Sequence, residues 1–593
     1  MLRNCYISSQ TMKLASCTTA LFLLTVLVLA KDDVSTTKKP NFLIFLVDDL
    51  GMGDVGCFGN DTIRTPNIDR LASEGVKLTH NMVPAPTCTP SRAALLTGRY
   101  PIRAGLASKT VNTMFGCNAC TGGMPPYEIT FAEVLKEAGY ETAYLGKWHL
   151  GIHSSYQDYA YLPNNQGFDY YYGMPFTKIN ECADPPNGRS SVMQLMRISK
   201  LIYYWATLTV VLYSFVFVSK WFNIVGFRGS LIMFVSVTLF SYLLLKYPES
   251  SQRFLCILMK NHEVVEQPIR LENMTVRFTN QATSFIRENK EKPFLLMMAY
   301  VKVHTALFTS KQFAGVSRHG QYGDNVEEMD WSVGKILDAL DQNGLKDNTF
   351  VYFTSDHGGH IEEVAVEKGR EGEREGGWNG IYKGGKSQVW EGGVRVPTVA
   401  RYPPSIPSNT VISVPTSTMD ILPTIAKIAG AKVPDDRIID GREMTGMLFG
   451  KDKIAVHDFF FIYCGPWIHG VTFRPDEEGI VYKVIFTTPK WTQGTQACFH
   501  TWLCQCKGRF VDQHDPPLVF DLTNDPGEHH PLKLTGETKA LIQKAKAARD
   551  RHEKAVEPVT DQFSLYRSVL FRPWLQPCCN FPYCSCKEDN TDM

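Results

Sequence analysis

The stretch Asn41-Phe42-Leu43-Ile44-Phe45-Leu46-Val47-Asp48-Asp49 runs from an unbroken apolar segment straight into two carboxylates. A continuous apolar run of this kind suits a strand buried on both faces, and the acids mark where that strand leaves its sheet. Three other stretches have the same form. Ala143-Tyr144-Leu145-Gly146 leads into Lys147-Trp148-His149, Phe294-Leu295-Leu296-Met297-Met298-Ala299 leads on to His304, and Phe350-Val351-Tyr352-Phe353-Thr354-Ser355 ends at Asp356-His357. Strands of this type form a parallel sheet covered by helices, and ligands of open α/β sheets bind outside the carboxyl ends of the strands. The four polar ends are therefore expected to share one edge and one site. Helices are expected between the runs. Val326, Met329, Val333, Ile336, Leu337 and Leu340 keep helical spacing ahead of Gly344, and Thr130 can cap a helix carrying Phe131, Val134 and Leu135 that ends at Gly139.

With 593 residues and 44% hydrophobic content, the chain can bury a large core and has room for two or more domains. Its 61 Lys+Arg nearly cancel 60 Asp+Glu, which leaves no electrostatic case for a nucleic-acid partner. Arg3 and Lys13 stand before an apolar run from Ala20 to Leu29 that ends at the small Ala30. This is the pattern of a signal peptide over residues 1–30; a membrane anchor is the rival reading, but the run is short for a span. Of the 16 cysteines, Cys498, Cys504 and Cys506, and Cys578, Cys579, Cys584 and Cys586, lack the Cys-x-x-Cys spacing of a zinc motif. They are expected to form disulfides in a secretory compartment. The sequons Asn60-Asp61-Thr62 and Asn273-Met274-Thr275 agree with that setting.

Residues 201–218 and 230–245 are apolar and free of charge, with a short link containing Lys220, Asn223 and Arg228. At about 1.5 Å per residue each comes close to the roughly 30 Å of a hydrocarbon core. Tyr203, Tyr204, Trp205, Trp221 and Phe222 cluster near the ends, as interfacial anchors do. A transmembrane helical hairpin over residues 198–248 is the expectation, and a buried hairpin the alternative. Cys182 and Cys256 stand where they could bridge its base. The hairpin would interrupt a catalytic domain over 38–450. Short strand-like runs beyond it indicate a smaller subdomain over 451–562, and the chain closes with a cysteine-rich tail over 563–593.

Asp48, Asp49 and Asp356 are hard oxygen donors that suit Ca²⁺ or Mg²⁺, with ordinary helix caps as the bland reading. The segment from Pro86 to Gly98, Pro-Thr-Cys-Thr-Pro-Ser-Arg-Ala-Ala-Leu-Leu-Thr-Gly, adds a nucleophile. It resembles the signature of the sulfatase family, in which a modifying enzyme of the endoplasmic reticulum reads Cys-x-Pro-Ser-Arg and oxidises the cysteine to formylglycine. The segment from Gly139 to Gly151 resembles the family's second signature, and Val303-His304-Thr305 and Gly384-Gly385-Lys386 resemble its later sulfate-binding positions.

The resemblance implies an alkaline-phosphatase-like α/β fold, with a large mixed sheet flanked by helices and a smaller C-terminal α+β subdomain. It implies that Cys88 becomes formylglycine, whose hydrate attacks sulfur and is held by Arg92. Lys147, His149, His304 and Lys386 become the sulfate-binding and proton-transferring residues. Asp48, Asp49, Cys88, Asp356 and His357 become the ligands of one Ca²⁺ or Mg²⁺, with His357 departing from the family's usual Asn or Gln. The hairpin, the segment 303–308 and Trp574-Leu575-Gln576-Pro577-Cys578-Cys579 look most like the members acting on steryl and aryl sulfates. The implied substrate is a small-molecule sulfate ester, a steroid sulfate first and another aryl sulfate second. The implied setting is the endoplasmic reticulum membrane with a luminal catalytic domain, and the implied partners are the membrane and the formylglycine-generating enzyme. Two other classes compete. A related phosphodiesterase would use two zinc ions, for which Asp356, His357 and His360 give a hint, but it has no use for formylglycine. A binding protein without activity would have lost some of Cys88, Arg92, Lys147 or His149, and all four are present.

Overall fold

The computed structural model describes residues 38–593 apart from 110–112, 183–189, 223, 364–374, 453–455, 476–478, 500, 502, 581–583 and 587–593. The expected signal segment lies outside the described residues. The four apolar runs are strands of one eleven-stranded sheet. In chain order its strands are β1 (Asn41–Val47), β2 (Val76–Met82), β3 (Glu141–Lys147), β4 (Tyr170–Met174), β5 (Leu258–Lys260), β6 (Glu263–Glu266), β7 (Phe294–Ala299), β8 (Thr349–Ser355), β9 (Arg395–Arg401), β10 (Thr410–Ile412) and β11 (Thr416–Ser417). They lie in the order β10-β2-β9-β8-β1-β7-β3-β4-β5-β6, with β11 also on β2. The strands from β8 to β4 are parallel, while β9 runs against both β8 and β2. The sheet is therefore mixed, as expected.

Every residue of β1, β7 and β8 is buried, which is why these runs carry no polar alternation. Register then sets the site. Leu46 lies beside both Ala299 and Thr354, and Gly146 lies beside Ala299, so β1, β3, β7 and β8 end level with one another. Gly146 is required there: its φ is +105°, and a Cβ would come within 1.8 Å of the Ala299 carbonyl oxygen.

The helices follow their sequence signals. Helix α1 (Cys88–Thr97) is buried throughout and ends at Gly98 with φ +66°. Thr130 caps α2 (Phe131–Glu137) by a reciprocal exchange with Glu133. Helices α3 (Ser190–Trp221) and α4 (Phe227–Leu255) form the expected hairpin, and the Cys182–Cys256 disulfide closes its base. The apolar residues predicted on the long helix α5 (Gly320–Gln342) are all buried. A second, antiparallel sheet of β12 (Phe459–Cys464), β13 (Trp467–Phe473), β14 (Tyr482–Pro489) and β15 (Val511–Asp521) packs with α6 (Gly536–Lys554). Its core includes Val83, Tyr100, Trp390 and Met419 of the larger domain, so the two share apolar packing.

One expectation needs correction. Among the described residues no helix is long and apolar enough to cross a membrane. Thr207, Thr209 and Ser214 break the apolar run of α3, and Ser236, Thr238 and Ser241 that of α4. Some of these groups join the helices instead: Thr209 meets Ser241 at 3.0 Å and Tyr213 meets Thr238 at 2.8 Å. The outer faces are nevertheless apolar and exposed, with Val210, Phe215, Phe217, Ile232, Val235 and Leu239 all open. The disulfide expectation holds, with Cys498–Cys504, Cys464–Cys506, Cys578–Cys584 and Cys579–Cys586 all bridged. Of the two sequons, Asn273 is exposed, whereas Asn60 is buried and bonds to Gly53, Thr62 and Ile63.

Candidate active site

The level strand ends deliver Asp48 and Asp49 from β1, Lys147 from β3 and Asp356 from β8 to one edge. Helix α1 starts there with Cys88, whose side chain is wholly buried and unbridged. Ligand atoms of Asp48, Cys88, Asp356 and His357 all lie within 4.8 Å of one another. The Cys88 sulfur is 3.2 Å from His357 Nε2, which is itself 3.3 Å from Asp49 and 3.4 Å from Asp356.

Three cations face the acids. Lys147 Nζ donates to Asp48 at 2.5 Å, and Lys386 Nζ donates to both oxygens of Asp49 at 2.6 and 2.9 Å. One turn along α1 from Cys88, Arg92 reaches Asp356 through Nε at 2.9 Å and lies 3.3 Å from Asp48, while a second nitrogen donates to the Lys147 carbonyl. His304 stands 4.0 Å from Asp49. Through Nε2, His149 meets the Phe115 carbonyl at 2.8 Å, leaving its buried Nδ1 without a bond. All ten expected site residues are thus gathered at one edge of the sheet. Asp49, His149 and Ser387, the neighbour of Lys386, all have φ of +62°. Such backbone persists only where the surroundings over-determine it.

The charges shape one another. Burial would raise Asp48 and Asp49, but the lysines, Arg92 and the histidines hold both carboxyls well below the usual range. Burial dominates at Asp356 and lifts it to about 7. Burial would also raise the Cys88 thiol, yet Lys147 and Lys386 bring it down to about 6. His149 and His304 are pushed down, chiefly by burial.

The site also fits a hard divalent cation. Three carboxylates converge there, and one oxygen of Asp48 is buried without a hydrogen bond although a guanidinium is near. The weak zinc reading through His360 is not supported, because that ring faces Glu362 and Glu363 and stands outside the ligand set around Cys88. Sequence reasoning missed several supporting groups. The Ser355 hydroxyl accepts from Leu50 N–H, Ser91 bonds the Asp356 carbonyl, and the Tyr144 hydroxyl donates to the Lys147 carbonyl. Ser91 stands in the Cys-x-Pro-Ser-Arg signature, though its bond to the Asp356 carbonyl does not follow from it, and Ser355 had no signal beyond its place next to Asp356. The Phe115 carbonyl that orients His149 gave none.

This edge of a mixed sheet, with a helix-start cysteine among acids and lysines, has the chemistry of a hydrolase of anionic esters. Residues 40–431 match the family described as sulfatase, and residues 455–586 match the C-terminal region of aryl-sulfatase. The chain belongs to the sulfatase family and is a sulfuric ester hydrolase. It is 45% identical over 565 residues to human steryl-sulfatase, covering 93% of this chain and 94% of that one. Human arylsulfatase D is 43% identical, with 96% of each chain covered, and human arylsulfatase H is 44% identical, with 94% and 99% covered. Among solved structures, the PsFucS1 sulfatase from Pseudoalteromonas sp. superposes with a TM-score of 0.65 at 24% identity, over 90% of this chain and 95% of that one. At that identity the likeness concerns the fold.

Proposed function

We propose that this protein hydrolyses steroid sulfates at a membrane of the endoplasmic reticulum, with its catalytic domain luminal and Cys88 converted to formylglycine by the formylglycine-generating enzyme. The observation that carries the reading is the buried Cys88 at the start of α1, ringed by Asp48, Asp356 and His357. Calcium, or magnesium, would be held by Asp48, Asp49, Asp356, His357 and the modified side chain at position 88, and would neutralise the sulfuryl oxygens. The aldehyde hydrate would supply the attacking hydroxyl.

This chain's own residues do the rest. Arg92 holds the group at position 88 in place, because its guanidinium is locked to Asp356 and to the Lys147 carbonyl. Lys147 and Lys386 bind sulfate oxygens with two buried positive charges. His304, at the rim of the acid cluster, gives a proton to the departing alcohol oxygen, and the bond-free Nδ1 of His149 takes the proton released when sulfate leaves. Water replaces the alcohol on sulfur overall, so the products are the alcohol and inorganic sulfate.

The alcohol needs room beside position 88. A cleft opens next to Thr87 and Ser387 and is lined by Leu106, Tyr463, Phe563 and the Cys464–Cys506 disulfide, an apolar wall against which a hydrocarbon body would rest. The exposed apolar faces of α3 and α4 would seat in lipid, from which such a substrate is drawn. Likeness to arylsulfatases D and H keeps another aryl sulfate as the second reading. A panel of steroid, simple aryl and sugar sulfates with membrane-extracted protein tests the substrate, and peptide mass spectrometry tests Cys88. A free thiol in active protein, or no turnover of any steroid sulfate, would overturn the reading.

A further inference from the structure

Beyond the hairpin a second apolar surface lies open. Leu565, Tyr566, Val569, Leu570, Phe571 and Trp574 are between 48% and 67% exposed within ten residues of chain. Burying a side chain of this size is worth roughly 1.5–3 kcal/mol, so leaving six outside forgoes a large stabilisation. Contiguous patches of this kind mark contact surfaces.

The segment is built rigidly. Arg572 is 7% exposed; it donates to the Leu570 carbonyl at 2.9 Å and the Tyr566 carbonyl at 3.0 Å, and sits 4.5 Å from the Tyr566 ring centroid. Backbone bonds from Arg572 to the Ala119 carbonyl and from Thr121 to the Arg567 carbonyl tie it to a strap stapled by the Cys117–Cys120 disulfide. The same strap and the end of the segment hold the hairpin. Asn118 donates to the Leu255 carbonyl at 3.0 Å and Gln576 to the Phe254 carbonyl at 2.8 Å, both at the last turn of α4. The outward side chains mix aromatic rings with aliphatic groups, and from 562 to 587 the only charges are Arg567, Arg572 and Lys587. That composition suits the headgroup interface, where rings sit at the polar boundary and acids are disfavoured.

We propose that residues 565–574 are a second lipid-contact element, lying in the bilayer interface beside the base of the hairpin. The proposal rests on the hairpin's being seated in lipid and deepens that reading. An interfacial segment of this kind enters about 5–10 Å into the headgroup boundary. Two contacts joined by one strap fix the tilt of the catalytic domain, where the hairpin alone would leave it free to rock. Phe563, two residues before the patch, lines the cleft beside position 88. The cleft is thereby held close to the lipid surface.

The test uses the full chain with an environment-sensitive fluorophore on Val569→Cys, with Val235→Cys in the hairpin and Glu537→Cys on α6 as references. Phosphatidylcholine vesicles carry nitroxide lipids with the quencher either shallow or deep. The label at 569 is expected to lose roughly half its emission to the shallow quencher and less to the deep one, as an interfacial group should. The label at 235 should be quenched, and that at 537 should not. If 569 behaves like 537 while 235 is quenched, the proposal is wrong and the hairpin reading survives. If neither is quenched, both fail. Shielding of 569 without vesicles, rising with protein concentration, would assign the patch to a second copy of this chain and also overturn the proposal.

Discussion

Of the regions that bury opposed charges, two invite comparison, and of these only one has the makings of a catalytic site. At the sheet edge, Asp48, Asp49 and Asp356 meet Arg92, Lys147 and Lys386 around Cys88. Where the two domains pack, Lys483 of β14 reaches Glu391 at 2.8 Å and Glu528 at 2.9 Å, and Arg395 donates to Glu391 at 2.7 Å. His80 faces the same carboxylate at 3.5 Å, and Glu528 accepts the Glu391 N–H at 2.6 Å. Each cluster even splits its acids the same way. Burial lifts Asp356 and Glu528 to about 7, while nearby cations outweigh burial and hold Asp48, Asp49 and Glu391 low. Buried charge and shifted acidity therefore do not by themselves identify an active site. Three features separate the two: the thiol, a set of convergent ligand atoms, and the cleft beside Thr87 and Ser387.

The comparison breaks most sharply at Cys88. Cys88→Ala should lower turnover of an aryl sulfate on the order of 10⁴-fold or more, since removing a nucleophile removes the pathway. Its unfolding midpoint in urea should move little, because alanine fills most of the same small site. A variant with appreciable activity would place the nucleophile elsewhere.

Lys483→Met should show the reverse pattern. It leaves Glu391 and Glu528 facing one another in the interior without their shared cation, at a cost of about 3–5 kcal/mol in urea unfolding. Below the temperature of unfolding, kcat should match the parent. A loss of kcat with stability intact would mean that the junction serves the chemistry after all.

These two clusters were unequally legible in the sequence, for a physical reason. The sheet edge was readable because Asp48, Asp49, Lys147 and Asp356 close apolar runs, and because Cys88, Arg92, Lys147 and His149 sit in extended signatures. The antiparallel strand β9, wedged between β8 and β2, follows no such rule, since its partners are far apart in sequence. The junction left still less trace. Glu391, Lys483 and Glu528 are lone charges in unremarkable surroundings, and only the packing of β12–β15 on the larger domain brings them together. The hairpin fell between: its helices and its base disulfide were legible, but the hydroxyl pairs Thr209–Ser241 and Tyr213–Thr238 that join the two helices sit inside runs read only as apolar and uncharged.

Removal of divalent cations should touch one cluster alone. A chelator should abolish sulfatase activity and lower stability by about 2–3 kcal/mol, the linkage expected for a ligand held at roughly a hundred times its Kd. Calcium or magnesium should restore both. The same treatment of Lys483→Met should subtract an equal amount, because the two regions share no residue. Unchanged stability after chelation, with elemental analysis showing no calcium or magnesium, would remove the cation from the reading of the site.

The last effect, on stability alone, concerns pH and Glu528. Its carboxyl is lifted from 4.5 to about 7, first by burial and then by the neighbouring Glu391 against the pull of Lys483. Below pH 4.5 folded and unfolded chains both hold this proton, so the group's contribution is fully present. As pH rises the unfolded chain releases the proton first, and the contribution is lost by the time pH passes about 7. The slope cannot exceed about 1.4 kcal/mol per pH unit. Glu528→Gln keeps an oxygen for the Glu391 N–H and has no proton to lose. The stability of the parent relative to Glu528→Gln should therefore decline between pH 4.5 and pH 7 in urea unfolding. His80, which burial pushes down to about 3, destabilises both proteins alike as pH falls and cancels in the difference. A constant difference across that range would show Glu528 ionised throughout, with Lys483 balancing two full charges, and the junction would then lose its likeness to the acid pairing at the catalytic edge.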